Sequence, residues 1–231
     1  MNHQLALSIQ LNHQATLNDF CWEDNAFLKQ QINQILSGQG ERFIYLWGDE
    51  GAGKSHLLQG LCHDITLNQA TISYLPFSLL KEWGPASIDG LENQTLIVMD
   101  DLDIIGGDKA WEEAIFHLYN RIRENEKTTL ITATKQAPMN STFQLPDLRS
   151  RLSSGLIIQL KELNDDAKIT TLQQQAEKRG FSLTQQTSTF LIHHCSRNMH
   201  ILNQLLNTLD EASLKAKRKI TIPFIKDVLS I

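Results

Sequence analysis

The chain has 231 residues, 41% of them hydrophobic, with 21 basic against 26 acidic side chains, a net charge of −5 and a pI near 5.9. That length buries a sizeable core and fits one large domain, or a compact α/β domain with a small satellite. The charge balance excludes the broad basic face that wraps nucleic acid through its phosphates and leaves room only for a local patch.

No apolar stretch approaches the roughly 20 residues of a membrane helix. The N-terminus, Met1-Asn2-His3-Gln4, lacks the basic-then-apolar order of a signal peptide. Cys21, Cys62 and Cys195 lie far apart with no CxxC pair, which points to buried thiols in a reducing compartment. A soluble cytoplasmic protein is expected. In chain order, residues 1–24 are polar with scattered apolar positions and read as an extended arm. Residues 25–37 carry Phe27, Leu28, Ile32 and Ile35 at helical spacing, and Gly38 and Gly40 stop that helix.

A strand–helix alternation follows. Strands are predicted at 43–47, 71–75, 95–99, 129–133 and 156–160, and helices at 54–64, 77–83 and 110–123. The run 95–99 is continuously apolar and so is expected at the centre of the sheet. This alternation predicts a five-stranded parallel sheet with helices on both faces. Past Lys161 the pattern turns helical, with helices over 165–179, 184–195 and 198–216 and a terminal segment, 221–230, in which Pro223 suits a first helical turn.

Directly after the first strand stands Gly48-Asp49-Glu50-Gly51-Ala52-Gly53-Lys54-Ser55, a full GxxxxGK[ST] match. Glycines let the backbone curl so that several N–H groups converge on one anion, and the following helix adds its positive N-terminal end. The candidate phosphate site is therefore Gly48, Gly51, Ala52, Gly53, Lys54 and Ser55, with His56 next in line. Lys54 is placed to neutralise the β and γ phosphates of a bound nucleotide, and the Ser55 hydroxyl to ligate Mg²⁺.

The partner acids close the third strand, Leu96-Ile97-Val98-Met99-Asp100-Asp101. A carboxylate at a strand's carboxyl end lies where open α/β sheets bind ligands. Asp100 is the second Mg²⁺ candidate, and Asp101 the candidate for orienting an attacking water. Thr134, at the end of strand four, is the position from which a hydroxyl reaches a γ-phosphate or that water.

In this order the motifs resemble the AAA+ family, and the later residues resemble its DnaA clade and the shorter Hda branch; the likeness covers nearly the whole chain. It implies an AAA+ P-loop α/β domain over 25–163, a small helical lid over 164–231 and an N-terminal arm over 1–24. Thr16-Leu17-Asn18-Asp19-Phe20, with Asn25 after it, looks like the family's nucleotide-flanking segment. Leu145-Pro146-Asp147-Leu148-Arg149-Ser150-Arg151-Leu152 resembles the segment carrying the arginine finger, which makes Arg151 the finger. An arginine at the rim of one protomer reaches a neighbour's γ-phosphate and stabilises charge developing there.

Lys217-Arg218-Lys219-Ile220-Thr221-Ile222-Pro223-Phe224-Ile225-Lys226 is similar to the end of the Hda branch. The chain stops at Ile231, so no dedicated helix-turn-helix DNA-binding domain is expected, which favours a regulator over an initiator. Gln4-Leu5-Ala6-Leu7-Ser8-Ile9 is similar to the peptide with which this branch binds the β sliding clamp. There Gln4 would bond at a pocket edge, with Leu5 alongside it, while Leu7 and Ile9 fill apolar pockets. Ser8 stands where the motif often has proline.

The resemblance also implies a lid arginine that reaches the nucleotide. In Ser196-Arg197-Asn198-Met199-His200 the alignment puts His200 at that place, with Arg197 one helical turn earlier. If neither reaches the phosphates, intrinsic hydrolysis is weak while binding persists. His193-His194-Cys195 lacks a second ligand pair and is discounted as a metal site. Lys215, Lys217, Arg218 and Lys219 read as cations closing a helix. The resemblance thus implies a regulator of DnaA acting with the clamp on DNA, with a homodimer possible. A self-contained ATPase and a non-catalytic adaptor stay open.

Overall fold

The structure, a computed structural model, describes residues 15–66 and 70–231. It divides into two compact units. Of the described residues, the first takes in Ala15–Phe20, Asn25–Asp49 and Lys54–Leu160; the second takes in Cys21–Asp24, Glu50–Gly53 and Lys161–Ile231.

In the first unit, strands β1 (Phe43–Trp47), β2 (Ile72–Pro76), β3 (Leu96–Asp100), β4 (Thr129–Thr134) and β5 (Leu156–Gln159) form one parallel sheet in the order β2-β3-β4-β1-β5. Its helices are α1 (Ala26–Leu36), α2 (Lys54–Thr66), α3 (Phe77–Leu80), α4 (Lys109–Asn125) and α5 (Pro146–Ser153). Every side chain of β3 is buried, as its unbroken apolar run requires of a strand covered on both faces.

The sheet's period of two sorts its residues. Tyr45, Ile97, Met99 and Leu130 join a core with Trp111, Ile115, Leu118 and Ile122 of α4 and Leu148 and Leu152 of α5. The alternate residues Leu96 and Val98 face the other side, where α2 packs on β2 and β3 through its stripe of Leu57, Leu58 and Leu61. Full burial of each such leucine contributes about 2 kcal/mol. The sheet therefore carries helices on both faces.

Residues 15–20 depart from an extended arm. Ala15 and Leu17 are buried, Leu17–Asp19 is a 3-10 turn, and a Cβ on Gly60 of α2 would stand 3.0 Å from both the Thr16 carbonyl carbon and the Leu17 nitrogen. Gly60 is what lets the two backbones approach so closely. The clamp-like residues Gln4, Leu5, Leu7 and Ile9 lie outside the described residues.

The second unit holds α6 (Asp165–Lys178), α7 (Gln185–His194), α8 (Met199–Ala216) and α9 (Ile222–Leu229) around Leu172, Leu191, Leu202, Leu206, Leu209 and Ile225. Each helix starts on a side-chain cap. Asn164 accepts from Ala167 N, Thr184 from Thr187 N, Asn198 from His200 N and Ile201 N, and Thr221 from Phe224 N. Each cap contributes about 1 kcal/mol. Among the described residues no helix is long and apolar enough to cross a membrane, and all three cysteines are free.

Candidate functional site

The loop after β1 runs through two glycines with positive φ, Gly51 at 84° and Gly53 at 101°, conformations a Cβ disfavours. At its far end Lys54 opens α2 with its side chain turned back into the loop. Its ammonium donates to the carbonyl oxygens of Gly48 (2.6 Å) and Asp49 (2.9 Å) and is nearly buried. Burial holds the Lys54 pKa below its ordinary value, with Asp101, Asp100 and Asp103 pulling it back up. The lysine is thus a partly desolvated cation at a helix N-terminus, a setting that favours an anionic ligand. Ser55 and His56 follow on the first turn of α2, and the rings of His56 and Phe20 lie 6.0 Å apart.

Asp100 ends β3 and is buried. Its Oδ2 accepts from the Tyr74 hydroxyl at 2.6 Å and its Oδ1 from the Asp101 backbone N–H at 3.1 Å. Gln59, on α2, donates to the Tyr74 hydroxyl at 3.0 Å. The helix that begins at the phosphate loop is therefore joined through one phenol to the acid at the end of β3. Burial, and then Asp100, push the Tyr74 phenol far above its usual range, so it remains a donor. Asp101 sits in left-handed backbone, φ 54°, with its pKa raised first by burial and then by Asp100 and Asp103, against Lys54 and Lys135.

Thr134 pairs with Trp47 across the sheet, so the end of β4 stands beside the start of the phosphate loop. Its hydroxyl is buried and donates to the Gln136 carbonyl at 2.8 Å, an acceptor that the Tyr45 hydroxyl shares at 3.0 Å. That leaves Lys135, the next residue, as the exposed cation of this strand end. Its backbone N–H bonds Asp103, and its charge acts on both Lys54 and Asp101. Arg151 lies on α5 and is half-buried, and among the described residues no carboxylate forms an ion pair with it.

In the second unit the two lid candidates are engaged locally. Arg197 pairs with Asp165 at 3.4 Å, and exposed His200 shares a hydrogen bond with Gln204 at 3.0 Å. Between them in sequence, Asn198 caps α8, and a Cβ on Gly51 would come within 2.6 Å of its side chain.

The sequence reading missed Tyr74, Lys135 and Asn198. Tyr74 shows no motif, being one residue of an ordinary strand. Lys135 needed the register that sets β4 beside β1. Asn198 did carry a signal, an Asn directly before a helical run.

The geometry so described is a P-loop nucleotide module of the AAA+ class. Model matches and solved structures agree. The Hda lid-domain family model matches residues 165–229, and an RNA-helicase family model matches residues 44–144. Domain III of the Thermotoga maritima replication initiation protein DnaA superposes with a TM-score of 0.81 at 18% identity, covering 96% of this chain and 98% of that one. DnaA of Aquifex aeolicus bound to AMPPCP gives 0.72 at 18% identity, over 89% of this chain and 68% of that one. The Thermotoga maritima RuvB branch-migration motor gives 0.72 at 17% identity, over 96% and 73%.

At such identities the structures speak to the fold. An uncharacterized protein of Haemophilus influenzae is 42% identical over the full length of both chains. The chain belongs to one family with this relative, carries an Hda-like lid over residues 165–229 and has the AAA+ fold of DnaA domain III.

Proposed function

We propose that the chain is a nucleotide-dependent regulator of replication initiation that supplies Arg151 in trans to promote hydrolysis of ATP held by DnaA. The observation that carries this reading is the half-buried Arg151, which has no acidic partner among the described residues, on a chain whose lid matches the Hda family model. Lys54 and the Gly48–Ser55 backbone suit the phosphates of ADP or ATP, and Ser55 with Asp100 suits Mg²⁺. When bound, the metal would supply positive charge that offsets the charge of the phosphates. The engagement of Thr134 with Gln136, Arg197 with Asp165 and His200 with Gln204 supports weak hydrolysis by this chain itself. Residues Gln4, Leu5, Leu7 and Ile9 would tether it to the β sliding clamp loaded on DNA.

The test is ATP turnover by DnaA with and without this protein and DNA-loaded clamp. Wild type should stimulate turnover, and R151A should lose at least tenfold of that stimulation. No stimulation by wild type defeats the reading; stimulation by R151A equal to wild type defeats the finger. Removal of residues 4–9 should abolish clamp capture.

A second reading, a self-contained ATPase, draws on the acidic pair Asp100 and Asp101 standing with Lys54 in the first unit. Steady turnover by this protein alone, removed by Lys54→Ala, would favour it.

A further inference from the structure

Glu112 lies on α4, away from every motif above, and is 1% exposed. A carboxylate that deep needs donors, because burial without them is strongly unfavourable. Glu112 finds them in two loops at once. Its Oε1 accepts from Gly107 N at 2.7 Å and Gln144 N at 3.0 Å. Its Oε2 accepts from Gln144 N at 2.9 Å and Leu145 N at 2.6 Å. Gly107 ends the turn that follows Asp101, whereas Gln144 and Leu145 are the last residues before α5, the helix that carries Arg151.

A second thread joins the same two loops. The Thr142 hydroxyl donates to the Asp103 carbonyl at 3.4 Å, and a Cβ on Gly106 would stand 1.9 Å from that hydroxyl oxygen. Only glycine at position 106 lets the segments close this far.

We propose that Glu112 is a positioning residue that fixes the Arg151 helix to the acidic turn of the nucleotide site; this rests on the functional reading above. The segment before α5 is neither strand nor helix, so no ladder of its own backbone bonds fixes its direction, and Pro146 at the first helical turn supplies no N–H. One buried carboxylate holding consecutive N–H groups sets both the starting point and the direction of that short helix. Arg151 then stands at a defined place relative to Asp101, and a shift of the acidic turn is carried to the finger through Gly107 and Glu112.

The test compares wild type, E112Q, E112D, R151A and the E112Q/R151A double variant, with stimulated ATP turnover read against protein concentration. E112Q should lower maximal stimulation at least tenfold, move the half-maximal concentration less than about twofold, and leave this chain's own nucleotide affinity unchanged. E112D, which keeps the charge on a shorter arm, should fall between E112Q and wild type. In the R151A background E112Q should take away nothing more. Maximal stimulation by E112Q equal to wild type, or a further loss on top of R151A, overturns the proposal while R151A alone still upholds the finger.

Wild type without effect on turnover overturns the functional reading and the relay built on it. Amide exchange in the wild-type protein examines the Glu112 hydrogen bonds alone, whether or not the variants fold. Gln144 and Leu145 should exchange at least 100-fold more slowly than an unprotected loop, and exchange at the loop rate overturns the proposal.

Discussion

At the residue scale, Asp100 and Asp103 stand close enough to Asp101 to oppose its ionisation. Asp101 has a raised pKa, so the folded chain holds its proton more tightly than the unfolded chain does. Stability from this group is therefore complete below the unfolded value, near 3.8, and is lost as pH rises through the folded value. Asp101→Asn keeps a residue that tolerates left-handed backbone and removes the charge. Without nucleotide it should be more stable than wild type at pH 7, with the difference shrinking towards pH 4. Thermal melts at the two pH values check this.

Tyr74 argues the other direction. Tyr74→Phe strips Asp100 of its side-chain donor and leaves the Asp101 N–H, which should lower stability by about 1 kcal/mol and weaken Mg²⁺-nucleotide binding about 3- to 10-fold. Binding measured with chelator present should move less. Titration calorimetry with and without Mg²⁺ separates the two.

At the element scale, the caps of the second unit offer a matched pair of experiments. Asn198→Ala and Thr184→Ala each remove a side chain that closes a helix start, so each should lower stability by about 1 kcal/mol. Only Asn198 lies against Gly51, so only Asn198→Ala should also weaken nucleotide binding. Equal nucleotide affinity in the two variants would deny the cap that second role.

The elements also show what a sequence can disclose. The strand β1 and the starts of α2 and α6 fall where periodicity and turn residues place them, because alternation and capping are local signals. The loop Gly48–Ser55 was legible for the same reason. Helix α5 was not. Its eight residues include only two buried apolar positions, Leu148 and Leu152, and its start is fixed by Glu112, distant in sequence. The 3-10 turn Leu102–Ile105, which spaces Asp101 from α4, was likewise invisible, since Leu102 and Ile105 are buried by tertiary packing. The tie between Tyr74 and Asp100 depends on the register of β2 against β3, which no local pattern encodes.

At the scale of the whole molecule, the two units differ in how far apart their neighbours lie in sequence. In the second unit α6 packs on α7 and α8 on α9, contacts between nearby segments. In the first unit β1 pairs with β4 and β5, Phe43 with Leu130 and Ile44 with Leu156. Long loops must close before such pairs contribute, so pulse-labelled amides of α6–α9 should gain protection before those of β1 during refolding. Simultaneous protection would contradict this.

The same strand order bears on the ribosome. Synthesis delivers β1 and the phosphate loop early, yet both of β1's flanking strands arrive only after β2 and β3 have been made. At roughly 5–20 residues per second the nascent loop is exported several seconds before it has a sheet to stand on. The phosphate loop is therefore complete in sequence well before β4 and β5 give β1 its neighbours in the sheet.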